Sequence, residues 1–146
     1  MIVYRVAHAT RTAFVPGPGD FPAGPYNGLS YRDKTPTLRR MISAHSGNAT
    51  HHLGPCWDRF LNGISPNEVC GFDALDSLLD WFERWFLALN EAGFVVWVYD
   101  VPDADVRVGQ DGQAVFRADA ARLVRTEPLP LTDQQLALFG PGDIHT

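Results

Sequence analysis

The chain has 146 residues, a formal net charge of −5 and 45% hydrophobic residues. That length fits one domain able to bury roughly two-thirds of its unfolded surface, and the negative charge argues against bulk attraction to phosphate backbones, so nucleic acid is not the expected partner. Two cysteines, Cys56 and Cys70, with no basic and apolar leader, argue against a secreted disulfide scaffold and make the cytoplasm the expected location. No run approaches the roughly eighteen apolar residues of a membrane span, because Glu83 and Arg84 interrupt the most apolar stretch.

Met1 to Ala7, MIVYRVA, alternates as a strand with Val3, Arg5 and Ala7 on one face and Ile2, Tyr4 and Val6 on the other. Arg5 is then a charge among apolar neighbours: either it snorkels to solvent from a strand edge, or it is an anion-binding arginine at the mouth of a pocket. Phe14 to Asn27, FVPGPGDFPAGPYN, is punctuated by proline and glycine and reads as a long ordered loop packed by Phe14, Phe21 and Tyr26. Tyr26 and Tyr31 fit either a stack on a flat ligand or an aromatic plug over the core. Thr35 and Pro36 have the chemistry of a helix cap and first turn. Ser43 to Gly54 returns to loop chemistry and carries His45, His51 and His52, with Cys56 just beyond. These invite a zinc reading, but no CxxC or HExxH spacing supports one, and His51 or His52 reads better as a hydrogen-bonding residue that orients a loop.

Val69 to Val101 organises the rest. Asp73 is placed to cap a helix over residues 74–91, where Leu75, Leu78, Leu79, Phe82, Phe86 and Leu89 form one apolar stripe and Trp81, Trp85 and Ala88 a second row beside it. Gly93 ends the helix, and Phe94 to Tyr99 follows as a strand buried on both faces. Val106 to Val108 and Gln113 to Phe116 are strands joined by a turn over Gly109 to Gly112, with Gln113 and Val115 on one face and Ala114 and Phe116 on the other. A bend over residues 117–122 leads to a last strand, Leu123 to Thr126, and a tail over 132–146 with one helical turn around Gln134 to Leu138. The expected architecture is a single α+β domain over residues 1–131, its mostly antiparallel, twisted or split sheet packed on one long central helix.

Three short segments carry a family resemblance. Tyr4-Arg5-Val6, then Cys70-Gly71-Phe72 leading into the Asp73 helix, then Gln113-Ala-Val-Phe116, with the closing phrase Ala120 to Leu129, resemble in order and spacing the small ADP-ribosyltransferase-fold proteins of bacterial toxins and phage. The resemblance implies NAD or a related nucleotide as cofactor and a host macromolecule, expected to be a protein, as target. Arg5 would pair with the pyrophosphate, Tyr26 or Phe72 would stack on nicotinamide, His8 would support the cofactor, and Gln113 or Asp111 would position the ribose, with His52 in an acid/base role. The family has a glutamate where this chain has Gln113. A neutral amide holds the same hydroxyl but supplies no charge to an oxocarbenium-like state.

A competing reading from another class is a non-catalytic phage- or prophage-type inhibitor that keeps the fold and blocks a host protein through its surface; Trp57, Trp81, Trp85 and Trp97 gathered in one exposed patch would mark it. A metal hydrolase using the histidines is a third.

Overall fold

The computed structural model describes residues 1–26, 34–45, 61 and 63–130. β1 (Ile2–His8) pairs along its whole length with β5 (Phe94–Asp100), from Ile2 opposite Asp100 to His8 opposite Phe94. With β4 (Glu68–Phe72), β6 (Val106–Val108), β7 (Gln113–Arg117) and β8 (Arg122–Glu127) they form a six-stranded sheet in the order β6-β7-β4-β1-β5-β8, in which every neighbouring pair is antiparallel.

Alternation along the strands divides the apolar side chains between two cores. Val6, Phe72, Phe94, Val96 and Val98 meet α1 (Pro36–Ala44), α2 (Leu75–Trp81) and α3 (Phe86–Glu91) through Leu38, Met41, Leu78, Trp81, Phe86 and Leu89. On the opposite face Val3, Val69, Tyr99, Ala114 and Phe116 pack with Phe21. The two faces expected of MIVYRVA and of Gln113 to Phe116 are therefore realised, and the mixed α+β domain is as expected. The Thr35 hydroxyl accepts from the Leu38 amide with Pro36 at the first helical position, as its chemistry requires.

Three expectations need correction. The helix over 74–91 is two helices, separated by a turn in which the Trp85 amide donates to the Phe82 carbonyl. The break lets α2 lie over β1 and β4 while α3 follows β5, which a straight rod across a twisted sheet cannot do. Asp73 does not cap α2: the N-cap is Ala74 with no side-chain bond, and the Asp73 backbone amide instead donates to the Gly112 carbonyl of the β6–β7 turn. The stretch from Phe14 is no loop in its first half. β2 (Thr12–Val15) and β3 (Gly19–Pro22) form a hairpin around Gly17 and Gly19, whose φ of 107° and 84° only glycine adopts without strain.

β8 closes one side of the sheet as an edge strand with both faces exposed; a register shift opposite Val98 and Tyr99 and the charges of Arg122, Arg125 and Glu127 blunt that edge. No helix among the described residues is long and apolar enough to cross a membrane.

The feature that matters for function lies between β1 and β4. These neighbours share one register pair, Tyr4 opposite Phe72, whereas β1 pairs with β5 over seven residues. Past Tyr4 the two strands diverge, and the sheet is split.

Candidate functional site

The split opens into a cavity of about 480 Å³. Arg5 and Val6 line it from β1, Val69 to Phe72 from β4, Gln113 from β7, Tyr26 and Gly24 from the segment after the hairpin, and Trp81 and Phe82 from the helical layer. Phe72 stands opposite both Tyr4 and Gln113, so these three side chains share the helix side of the sheet, and Arg5, one residue along from Tyr4, projects to the other side. Arg5 and Gln113 thus come from opposite faces of the sheet, with β4 between their strands. They reach one cavity because the cavity passes through the gap.

Arg5 is only 7% exposed. Its Nη1 donates to the Cys70 carbonyl of β4 at 2.8 Å and its Nη2 to the Pro22 carbonyl of β3 at 3.4 Å, so the guanidinium ties β1 to β4 where they part and to the end of the hairpin. Its carbon lies 5.9 Å from the centre of the Phe21 ring. Among the described residues none of its partners is a carboxylate, and its Nε is buried without a partner. Tyr99, on the same side of the sheet, also has a buried hydroxyl without a partner, and burial pushes it up to about 12 against the pull of Arg5. A buried cation whose partners among the described residues are two carbonyls, a sulfur and an aromatic ring, with no carboxylate, is a place where an anion gains. Gly24 makes room for the guanidinium: a Cβ there would lie 2.8 Å from Arg5 Nη2.

The opposite wall is aromatic. Trp81 Nε1 donates to the Tyr26 hydroxyl at 2.6 Å, and Tyr26 lies 2.8 Å from His45 Nδ1. The indole nitrogen only donates, so the Tyr26 oxygen accepts from Trp81, and the tautomer of His45 sets which way the Tyr26–His45 bond runs. Tyr26 also stacks on Phe82, and burial raises its pKa above the ordinary phenol value, with the Trp81 bond opposing. Phe72 is 7% exposed and packs edge to face against Phe82.

Of the residues expected at the site, the cleft brings together Arg5, Tyr26, Phe72 and Gln113 and leaves out two. His8 sits at the end of β1 against Phe94, its Nδ1 accepting from the amides of Thr10 and Arg11, and burial lowers its pKa. Asp111 is exposed in the β6–β7 turn, away from the cavity. His52, His51, Cys56, Tyr31, Trp57 and the expected helical turn at Gln134 to Leu138 lie outside the described residues. Among the described residues no group of three or more His, Cys, Asp or Glu is placed to hold a metal.

Sequence reasoning missed Glu68, the one carboxylate among the described residues of the cleft. It is held by Arg107, at 3.0 Å from Nε and 2.8 Å from Nη2, and Arg107 also donates to the Leu61 and Gly63 carbonyls. The pair joins β4 to β6 across 39 positions of sequence, a separation at which no spacing rule operates. Arg107 holds the Glu68 carboxyl below its ordinary 4.5. A depressed carboxyl stabilises the fold above its ordinary pKa and gives that stability up as pH falls through the folded value. Arg107→Met should therefore cost about 2 kcal/mol at pH 7, a buried-pair penalty reduced because Arg107 keeps 40% side-chain exposure, and less at pH 3, where the carboxyl gains protons but the bonds to the Leu61 and Gly63 carbonyls are still lost. Urea melts of both proteins at the two pH values check this; an equal loss at both would mean that packing, not charge, is at stake.

No curated protein and no solved structure matches the chain. A family model does, over residues 1–130, the span that contains every strand described above and the whole of the split sheet. On that match the chain belongs to the phage protein family described as Bacteriophage T4 Y00F protein.

Proposed function

We propose that this phage-family protein binds NAD or a related nucleotide in the split-sheet cleft, in the manner of ADP-ribosyltransferase-like proteins. The observation that carries the reading is Arg5, a buried guanidinium with no carboxylate partner among the described residues, at the wall of a cavity large enough for a nucleotide. Arg5 meets the phosphates, Phe72 and Tyr26 supply the apolar and aromatic wall, and Gln113 holds a ribose hydroxyl through its amide.

Transfer of ADP-ribose to a host protein is the further step, and it needs negative charge beside the ribosyl carbon. Among the described residues of the cleft the one carboxylate is neutralised by Arg107 and the ribose position has the neutral Gln113. These observations favour binding without bond cleavage in the wild-type chain. The phage family match fits the surface-inhibitor reading as well; of the tryptophans that would mark it, Trp81 and Trp85 lie on the helix side, Trp97 packs on the opposite face and Trp57 lies outside the described residues.

Calorimetric titration with NAD, read beside thermal melts, tests the proposal. Wild type should bind and melt higher in millimolar NAD, and Arg5→Gln should bind more than tenfold weaker, with Arg5→Lys recovering part of the loss. Absence of any shift at millimolar NAD, or equal binding by folded Arg5→Gln, removes the nucleotide from the site.

A further inference from the structure

His8 lies outside the cleft, at the point where β1 gives way to the β2–β3 hairpin. Its Nδ1 accepts from the Thr10 amide at 3.1 Å and from the Arg11 amide at 2.9 Å. A backbone amide only donates, so Nδ1 carries no proton and the neutral ring holds its proton on Nε2. That nitrogen faces the turn between α3 and β5, where the Ala92 carbonyl accepts from the ring and a Cβ on Gly93 would lie 2.6 Å away. Both ring nitrogens are thus committed to backbone groups, and a second proton on Nδ1 would point at two N–H donors.

The turn fixed by those bonds carries the hairpin. The Arg11 carbonyl accepts from the Ala23 amide at 3.0 Å, and the His8 amide donates to the Ala23 carbonyl at 2.7 Å, so this one short turn holds both ends of β2–β3. Ala13, Val15 and Pro22 of the hairpin wall the cleft, and Gly24 just beyond it lies against Arg5. Among the described residues no carboxylate bonds the ring, Arg11 opposes a second positive charge there, and Glu91 of α3 is exposed to solvent. We infer that His8 is a pH-sensitive clasp: neutral, it locks the base of the hairpin against β1, and protonated in mild acid it releases the hairpin from the mouth of the cleft. The inference concerns the wall and not its occupant, so it stands or falls independently of the nucleotide reading.

Burial sets the sign, with Arg11 adding to it, because the folded ring titrates below its ordinary 6.5. An opened hairpin, whose His8 titrates at the ordinary value, therefore takes up protons first and becomes more populated as pH falls below 6.5. Amide hydrogen exchange over residues 12–22, corrected for the intrinsic rate, tests this at pH 7.5 and pH 5.5 on wild type, His8→Asn and His8→Phe. Wild type should open about fivefold more often at the lower pH, within the roughly tenfold per pH unit that one proton can give. His8→Asn keeps an acceptor near the place of Nδ1 and does not titrate, so it should match wild type at pH 7.5 and change less in acid. His8→Phe has no acceptor and should exchange fast at both. The chain has five histidines, and His45 bonds Tyr26 in the cleft, so the difference between wild type and His8→Asn isolates His8. In wild type alone, the Thr10 and Arg11 amide resonances should titrate in step with the His8 ring. Equal acid responses in wild type and His8→Asn, or Thr10 and Arg11 amides that do not follow the ring, would overturn the clasp.

Discussion

Gly71→Ala should lower the melting temperature by roughly 10 °C. A Cβ at this position would lie 2.6 Å from the Tyr4 carbonyl oxygen and 3.2 Å from Phe116 Cε1. The first neighbour is backbone and has nowhere to go, because β1 is held along its whole length by β5. The second belongs to a ring with no exposure at all, closed in by its own core. Overpacking of this kind costs about 3 kcal/mol when no flexible side chain can yield, and for a chain of this size each kcal/mol moves the midpoint by about 3 °C. The strands can relieve the clash only by separating further at the point where they already diverge, which also pulls Arg5 from the Cys70 carbonyl. A thermal melt checks the prediction, and a midpoint within about 2 °C of wild type would mean that the divergence of β1 and β4 is not limited by backbone contact.

Gln113→Glu should have two effects of opposite value. Gln113 is 4% exposed, and a carboxylate placed there loses most of its hydration, which raises its pKa. An acid whose folded pKa is raised leaves the protein unharmed below its unfolded value and destabilises it as pH rises toward the folded one. A rise of about three pH units corresponds to a loss of about 4 kcal/mol at pH 8, with stability near that of wild type at pH 4. The second effect is chemical. Once ionised, the new carboxylate supplies the negative charge that opening of the glycosidic bond requires, so release of nicotinamide from NAD should appear in the variant as pH rises. Nicotinamide assay across pH 5 to 8, paired with urea melts, reads both. A variant that binds NAD and is destabilised as described, yet releases no nicotinamide at any pH, would show that the ribosyl carbon does not lie beside residue 113.

Much of this fold is legible in the residues because local chemistry and final packing agree. MIVYRVA alternates and its two faces enter two different cores. Thr35 and Pro36 act as their types predict, and Asp111-Gly112 turns β6 back as β7, with Gly112 at a φ of 82°. The break between α2 and α3 is not legible, because the apolar stripe from Leu75 to Leu89 runs through it without glycine or proline; the sheet's twist, a tertiary property, imposes it. The β2–β3 hairpin is hidden because its strands have only four residues each and Pro16, Gly17, Pro18, Gly19 and Pro22 of the turn and β3 read as loop. At the site, Arg5 stood out as a charge in an apolar strand. Its partners did not, since Cys70 is 65 positions away and the Tyr26 to Trp81 bond spans 55.

The lone Tyr4–Phe72 rung makes the sheet two leaves, β6-β7-β4 and β1-β5-β8, stitched at one place. Beside that rung the spacing of the leaves is set by side chains: α2 touches both β1 and β4, each core draws residues from both leaves, and Arg5 reaches across to the Cys70 carbonyl. An occupant that bridges the leaves adds contacts across a seam that the main chain closes at a single pair, so its binding energy is also cohesion between the two halves of the sheet.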